Sequence, residues 1–266
     1  DTYPETSRPG YVAWWDYGFE AVQEGNHPTL ADNFQNGYQV AGNIIMAQTE
    51  QDTVALFTYQ LIQSGLKDGG ATESALIAAL DDHGISYSEY EDIMTMPADE
   101  VIDKVLADPD LYGPMAEDMG AENARIVAVR ALLASQGDAS LTSLYTSVCE
   151  ITGYEFRYFN VDSRMFPLSG TSTGIFYAPA TLSDRRVDTE NGNIPYDFFT
   201  VQAVDTSGAV YDLDEVPADA QIYTYTLEYQ PMFYDSMFYR AMCGFSATDI
   251  GAEEDGTLPG ASSGSL

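Results

Sequence analysis

The sequence predicts a mixed α/β (α+β) fold: a mainly helical central core, a β-rich insertion, and a C-terminal helix that returns to the core. Three observations predict it. Residues 38–152 carry successive segments with apolar side chains at helical spacing, separated by Gly and Pro. At Gly153 the texture changes to runs of aromatic and β-branched residues. After Pro231 the helical spacing returns. The expected division is a helical core over 1–184, a β-rich insertion over 185–229, a returning core helix over 230–245 and a loose tail over 246–266.

Residues 1–10 carry Pro4 and Pro9 and read as a lead-in. Tyr11-Val12-Ala13 reads as a short strand. Residues 19–37 are polar, hold Gly25, Pro28 and Gly37, and read as a loop. Residues 38–46 place Val40, Ile44 and Ile45 on one helical face. The next helix opens at Thr49 or Gln51 and carries Val54, Phe57, Leu61 and Ile62, with Gly65 as its stop. Further helices are expected over 72–82, 88–95 and 97–107, with Pro109 and Gly113-Pro114 as breaks. Residues 123–135 (Ile126, Val127, Val129, Leu133) and 140–152 (Leu141, Leu144, Tyr145, Val148) complete the helical half.

Residues 156–161 read as a strand, and 165–180 as an ordered loop or a short turn of helix. Strand runs follow at 198–201, 209–211 and 222–227, with Asp205-Thr206-Ser207-Gly208 as a hairpin connection. Pro231 suits the first position of a helix over 231–243. No internal repeat is visible.

Composition narrows the class of partner. Ten Lys and Arg stand against 42 Asp and Glu, a net charge of -32, and Lys67 and Lys104 are the sole lysines. Such a chain repels nucleic acid and anionic membrane surfaces. Aromatic residues at 12% exclude a disordered acidic segment. A globular acidic, lysine-poor chain suits high salt, where self-repulsion is screened; an ordinary acidic extracytoplasmic domain would share the bias. The two cysteines, Cys149 and Cys243, pair only if the fold brings them together. With His27 and His83 the only histidines, a His-based zinc site is not expected. No apolar run reaches the roughly 18 residues of a membrane span.

The most unusual stretch is Trp14-Trp15-Asp16-Tyr17-Gly18, which holds both tryptophans of the chain. Neighbouring side chains diverge on a strand or a helix, so the two indoles cannot fill one pocket of a regular element. A turn or irregular segment is expected, with Gly18 allowing an unusual backbone. Indole N–H groups only donate and a carboxylate only accepts. Together they hold a small alcohol from both sides. The same residues also read as a core tryptophan beside a capping Asp. Elsewhere carboxylates are abundant, and pairs such as Asp81-Asp82 read as solvated surface. Asp108-Pro109-Asp110 and Glu117-Asp118 lack the EF-hand spacing. There is no phosphate-binding glycine loop, no nucleophile elbow and no Cys/His pair suited to nucleophilic catalysis.

The pentapeptide resembles the signature of the oligosaccharyltransferase catalytic subunit, in its archaeal form, AglB. Gly25-Asn26-His27-Pro28 and Ala31-Asp32-Asn33-Phe34-Gln35 resemble the loop that follows it. Val161-Asp162-Ser163-Arg164-Met165 resembles the second signature of that family. Residues 8 to about 245 are similar to its soluble C-terminal region, a helical core with a β-rich insertion. The resemblance implies recognition of the Ser or Thr of an N-x-S/T acceptor by Trp14, Trp15, Asp16, Tyr17 and Gly18. The second motif, Asp162 with Met165 and then an Ile, would contact the threonine methyl, for which flexible Met is apt. Ile175 is the candidate for that Ile, but it lies further along than the pattern places it and reads better as core. Met165 also reads as core filler.

The resemblance further implies transfer of an oligosaccharide from a lipid-linked (dolichyl-phosphate type) donor to an Asn side chain, with Mn2+ or Mg2+. Those metal ligands belong to loops of a transmembrane half outside this chain. No catalytic residue, metal ligand or activity is therefore expected in these residues alone. The expected location is the extracytoplasmic face of a cell membrane, as the soluble end of a longer protein. No Asn here has Ser or Thr two residues on, so the stretch is no acceptor itself. The alternatives are an independent acidic binding or surface-layer domain of a halophile, and a glycoside hydrolase using two of the many carboxylates.

Overall fold

The computed structural model describes residues 8–32, 34, 36–108, 119–161, 163–166, 172–183, 185–190 and 192–244, with Asp16 and Ser163 by backbone alone. Residues 1–7 of the lead-in, the breaks at 109–118, Asp162 and residues 245–266 lie outside the described residues. The fold is mixed α/β.

β1 (Gly10–Ala13) is apolar because it is flanked on both sides. It pairs in parallel with β2 (Phe156–Asn160), Val12 opposite Phe159. On its other edge Tyr11 N–H donates to the Pro28 carbonyl at 2.8 Å, and Leu30 N–H donates back to the Tyr11 carbonyl at 2.8 Å. α1 (Trp15–Gln23) follows at once. Residues 19–23, expected as loop, are therefore helix. α2 (Tyr38–Met46) keeps the expected bounds.

α3 (Glu50–Asp68) is the axis of the helical half. Thr49 caps it, its hydroxyl oxygen accepting from Asp52 N–H at 3.0 Å. Gly65 does not stop this helix. A Cβ there would lie 2.6 Å from Leu76 Cδ1, so Gly65 sits inside α3 where the next helix crosses closely. α4 (Gly70–Asp82), α5 (Tyr87–Thr95), α6 (Ala98–Leu106), α7 (Ala121–Ala134) and α8 (Asp138–Thr152) follow, and α3 packs against α4, α7 and α8. Leu56, Ile62, Leu80, Val129, Leu144 and Val148 are fully buried between them.

After a short 3-10 turn (Ser163–Met165) come α9 (Tyr177–Leu182), a small antiparallel pair β3 (Val187–Asp188) and β4 (Ile194–Pro195), and a three-stranded antiparallel sheet. Its order is β6 (Val210–Asp212), β5 (Phe199–Asp205), β7 (Ile222–Tyr229). The expected hairpin joins β5 to β6: Asp205 Oδ1 accepts from Ser207 N–H at 2.7 Å and Ala209 N–H at 3.0 Å. The expected single helix at 231–243 is two, α10 (Pro231–Asp235) and α11 (Met237–Cys243). Ser236 is extended between them; its hydroxyl donates to Phe233 O and its oxygen caps α11 at Tyr239 N–H. Return to the helical half is made by Met237 N–H donating to Ala47 O at 2.8 Å.

The core has two clusters. One fills the helical half; the other is aromatic, with Phe176 and Phe233 at its centre. Phe176 meets Phe198, Phe199, Phe233 and Phe238 with ring centroids 5.1, 5.4, 5.3 and 5.2 Å apart. Such tilted and edge-to-face contacts add about 0.5–1.5 kcal/mol per pair beyond burial.

Cations are scarce and tie elements together. Arg8 donates to Asn26 O, Arg125 to Met96 O, Arg130 pairs with Asp52 and Arg240 with Glu50. Lys67 and Lys104 sit in the last turns of α3 and α6, where a positive charge suits the helix end. Exposed pairs such as Arg157–Glu155 contribute about 0–1 kcal/mol each, and salt weakens them. Self-repulsion at a net charge of -32 acts over the whole surface and salt screens it too. The second effect dominates, so the melting temperature should rise steadily from low to molar KCl. A flat or falling calorimetric series would contradict that balance.

Candidate functional site

The pentapeptide straddles a strand-to-helix junction. Trp14 is extended (φ -60, ψ 145), and its carbonyl accepts from Tyr17 N–H at 2.9 Å and Gly18 N–H at 3.2 Å, which starts α1 at Trp15. The setting is thus a regular junction and not the expected irregular segment. The indoles diverge there, centroids 6.4 Å apart and planes tilted by 56°. Trp14 is 2% exposed, inside the aromatic cluster with Ile45 and Met46. It does not line an exposed pocket as expected for both indoles. Trp15 is half-buried at the seam, packed against both clusters. Asp16 takes the second position of α1, where a carboxylate suits the positive helix end.

Gly18 serves closeness of approach. A Cβ there would lie 1.8 Å from the Ala31 carbonyl oxygen and 2.8 Å from Thr29 Oγ1. α1 therefore lies directly on the backbone of residues 29–31. That segment is itself fixed: Asp32 Oδ1 accepts from the N–H groups of Phe34 and Asn36, at 2.9 and 3.2 Å, and the Asn36 amide donates to both carboxylate oxygens. These bonds, the Asn36 amide first, hold the Asp32 carboxyl below its usual range. Asn33 and Gln35 of the same stretch lie outside the described residues. His27 Nδ1 lies 2.8 Å from Pro9 O, with its ring edge-on to Tyr11 and Tyr158.

The second motif comes alongside. Asp162 lies outside the described residues, but Met165 is 1% exposed and belongs to the cluster of Trp14 and Tyr17. Gly174 (φ +60) explains how Ile175 joins it. A Cβ on Gly174 would lie 2.4 Å from Phe166 O and 3.0 Å from Arg164 O. The chain thus folds back onto the 3-10 turn, and Ile175 packs half-buried against the same cluster. One residue escaped the sequence reading. The Arg164 guanidinium carbon lies 4.9 Å from the centroid of the Tyr17 ring. The signal was present: a cation inside the second motif of a chain with ten.

The described residues bring Trp14, Trp15, Tyr17, Met165 and Ile175 into one apolar neighbourhood, with Gly18 pressing its helix onto the following loop. Among the described residues no three His, Cys, Asp or Glu side chains converge as a metal-holding group. Cys149 and Cys243 are both free thiols. No described helix is long and apolar enough to cross a membrane. An open polar depression of about 370 Å³ lies on the β-rich stretch, lined by Asp205, Tyr211 and Asp219 among others. Its Asp205 carboxyl is held below the usual range by Ser207 first, and it accepts from Tyr211 OH. No family model, curated protein or solved structure matches the chain.

Proposed function

We propose that this chain is the acceptor-recognising C-terminal domain of an archaeal-type oligosaccharyltransferase, an extracytoplasmic part of a membrane enzyme. The observation that carries the reading is the convergence of two separate motifs: Tyr17 and Met165, distant in sequence, share one buried cluster with Trp14. With Trp14 sealed, recognition falls to the next two residues of the junction. The Trp15 indole N–H donates to the acceptor hydroxyl, and Asp16 accepts from it. Trp14, Met165 and Ile175 form the wall behind them, and Gly18 seats the helix that carries them. The acceptor is a polypeptide with N-x-S/T and the donor a lipid-linked oligosaccharide. The bond-making groups and the Mn2+ or Mg2+ site lie on other parts of the enzyme.

In the full-length enzyme, Asp16→Ala should abolish glycosylation of a sequon peptide. The melting temperature of the isolated domain should barely move, since an early helix-turn carboxylate contributes about 0.3–1 kcal/mol. Wild-type turnover in that variant ends the assignment. The burial of Trp14 favours a second reading, an independent acidic binding or surface-layer domain in which the indole anchors the core. The same experiment separates the two.

A further inference from the structure

We propose that Arg164 is a positioning residue: it locks the second motif onto the pentapeptide helix and so sets where Met165 stands. The inference rests on the acceptor-recognition reading of this site. The turn that holds Met165 spans three residues, too short to fix its own orientation by internal hydrogen bonds. What flanks it decides. On one side Phe166 packs on Phe238 with centroids 4.6 Å apart, and on Phe233 at 6.1 Å, which ties the turn to the aromatic hub. On the other side Arg164 lies over the Tyr17 ring, which ties it to α1. Met165 stands between these two anchors.

The contact is built for this use. Tyr17 is 6% exposed, so its ring is held by the core and cannot swing to follow a solvent-side partner. Arg164 is exposed and covers that ring as a planar guanidinium, which stacks on an aromatic face better than an ammonium does. Gly174, close against the carbonyls of Arg164 and Phe166, adds Ile175 to the same arrangement. A shift of the turn therefore moves both Met165 and Ile175 relative to Trp15 and Asp16. Arg164 touches neither acceptor nor donor in this scheme; it acts through Met165.

The test uses two readouts. In the isolated domain with carbon-13 methyl-labelled methionine, the Met165 methyl, assigned through M165L, sits among aromatic rings and reports its own position. R164A should move that resonance and leave the methyl of Met46, a member of the same cluster, in place; R164K should lie nearer wild type. An unmoved Met165 methyl in R164A overturns the positioning role, and so does an equal movement of Met46. In the full-length enzyme, the preference for N-x-T over N-x-S in kcat/KM, expected at about fourfold from one buried methyl, should fall towards one in R164A and be partly restored in R164K. A moved methyl with an unchanged ratio keeps the positioning role and counts against acceptor recognition instead, so the two failures are distinguishable.

Discussion

Asp197→Ala should cost the domain about 1–3 kcal/mol of stability, the usual loss when a buried group is left without its hydrogen-bond partner. The Asp197 side chain is 1% exposed and accepts at 2.7 Å from Arg186, whose own side chain is 54% exposed. Beside it Arg185 is 7% exposed; burial pushes its pKa down to about 10, against the pull of Asp197. Arg130 and Asp52, paired at 3.3 Å, also act on Arg185. Charges from α3, α7, the segment after α9 and the turn before β5 thus meet in one place. Here the charges of the helices act on those of the strand-rich stretch. Without Asp197, Arg185 keeps its charge at neutral pH and loses a counter-charge that acts on it. Urea titration in molar KCl should show the midpoint falling, because buried pairs are poorly screened. Replacing Arg185, Arg186 and Asp197 together by apolar residues should recover much of the loss, since the desolvation penalty goes with the charges. A wild-type midpoint in Asp197→Ala would show that the network contributes nothing.

Nothing in the sequence announced this charge network, because its members are far apart in the chain. The same holds for β1 and β2, whose parallel pairing joins residues 10–13 to 156–160. Local patterns were legible where the local pattern decides. α2 has the bounds that Val40, Ile44 and Ile45 imply, and the Asp205 hairpin follows from turn chemistry. α1 was not legible: it has no side-chain cap at Trp14 and carries Gly18 within its first turns. It forms because its apolar face packs and its backbone rests on residues 29–31, and tertiary contact outweighs weak propensity. Gly65 misled for the opposite reason. A glycine that looks like a stop is a place where α4 approaches α3. At the site, residue types were legible but their exposure was not. The sequence could say that adjacent indoles diverge, and could not say which of them turns inward.

Met165→Ala is expected to do two separable things. Met165 is 1% exposed against Trp14, Tyr17 and the aromatic hub, so its truncation leaves a cavity and should cost about 2–5 kcal/mol. The second expected effect is on the acceptor. Threonine differs from serine by one methyl, and burying a group of that size contributes about 0.8 kcal/mol, a preference of about fourfold. The stability loss is several times larger than the specificity term, so kinetics near the melting temperature would report unfolding alone. Met165→Leu separates the two. It conserves volume and should cost less than about 1.5 kcal/mol, while keeping an apolar wall for the methyl. Paired kcat/KM values on N-x-T and N-x-S peptides, taken well below the melting temperature of each variant, should give wild-type preference for Met165→Leu and a ratio near one for Met165→Ala. Serine-sequon turnover should survive in both. If Met165→Ala melts early yet keeps the wild-type ratio, Met165 fills the core and the threonine methyl is read elsewhere.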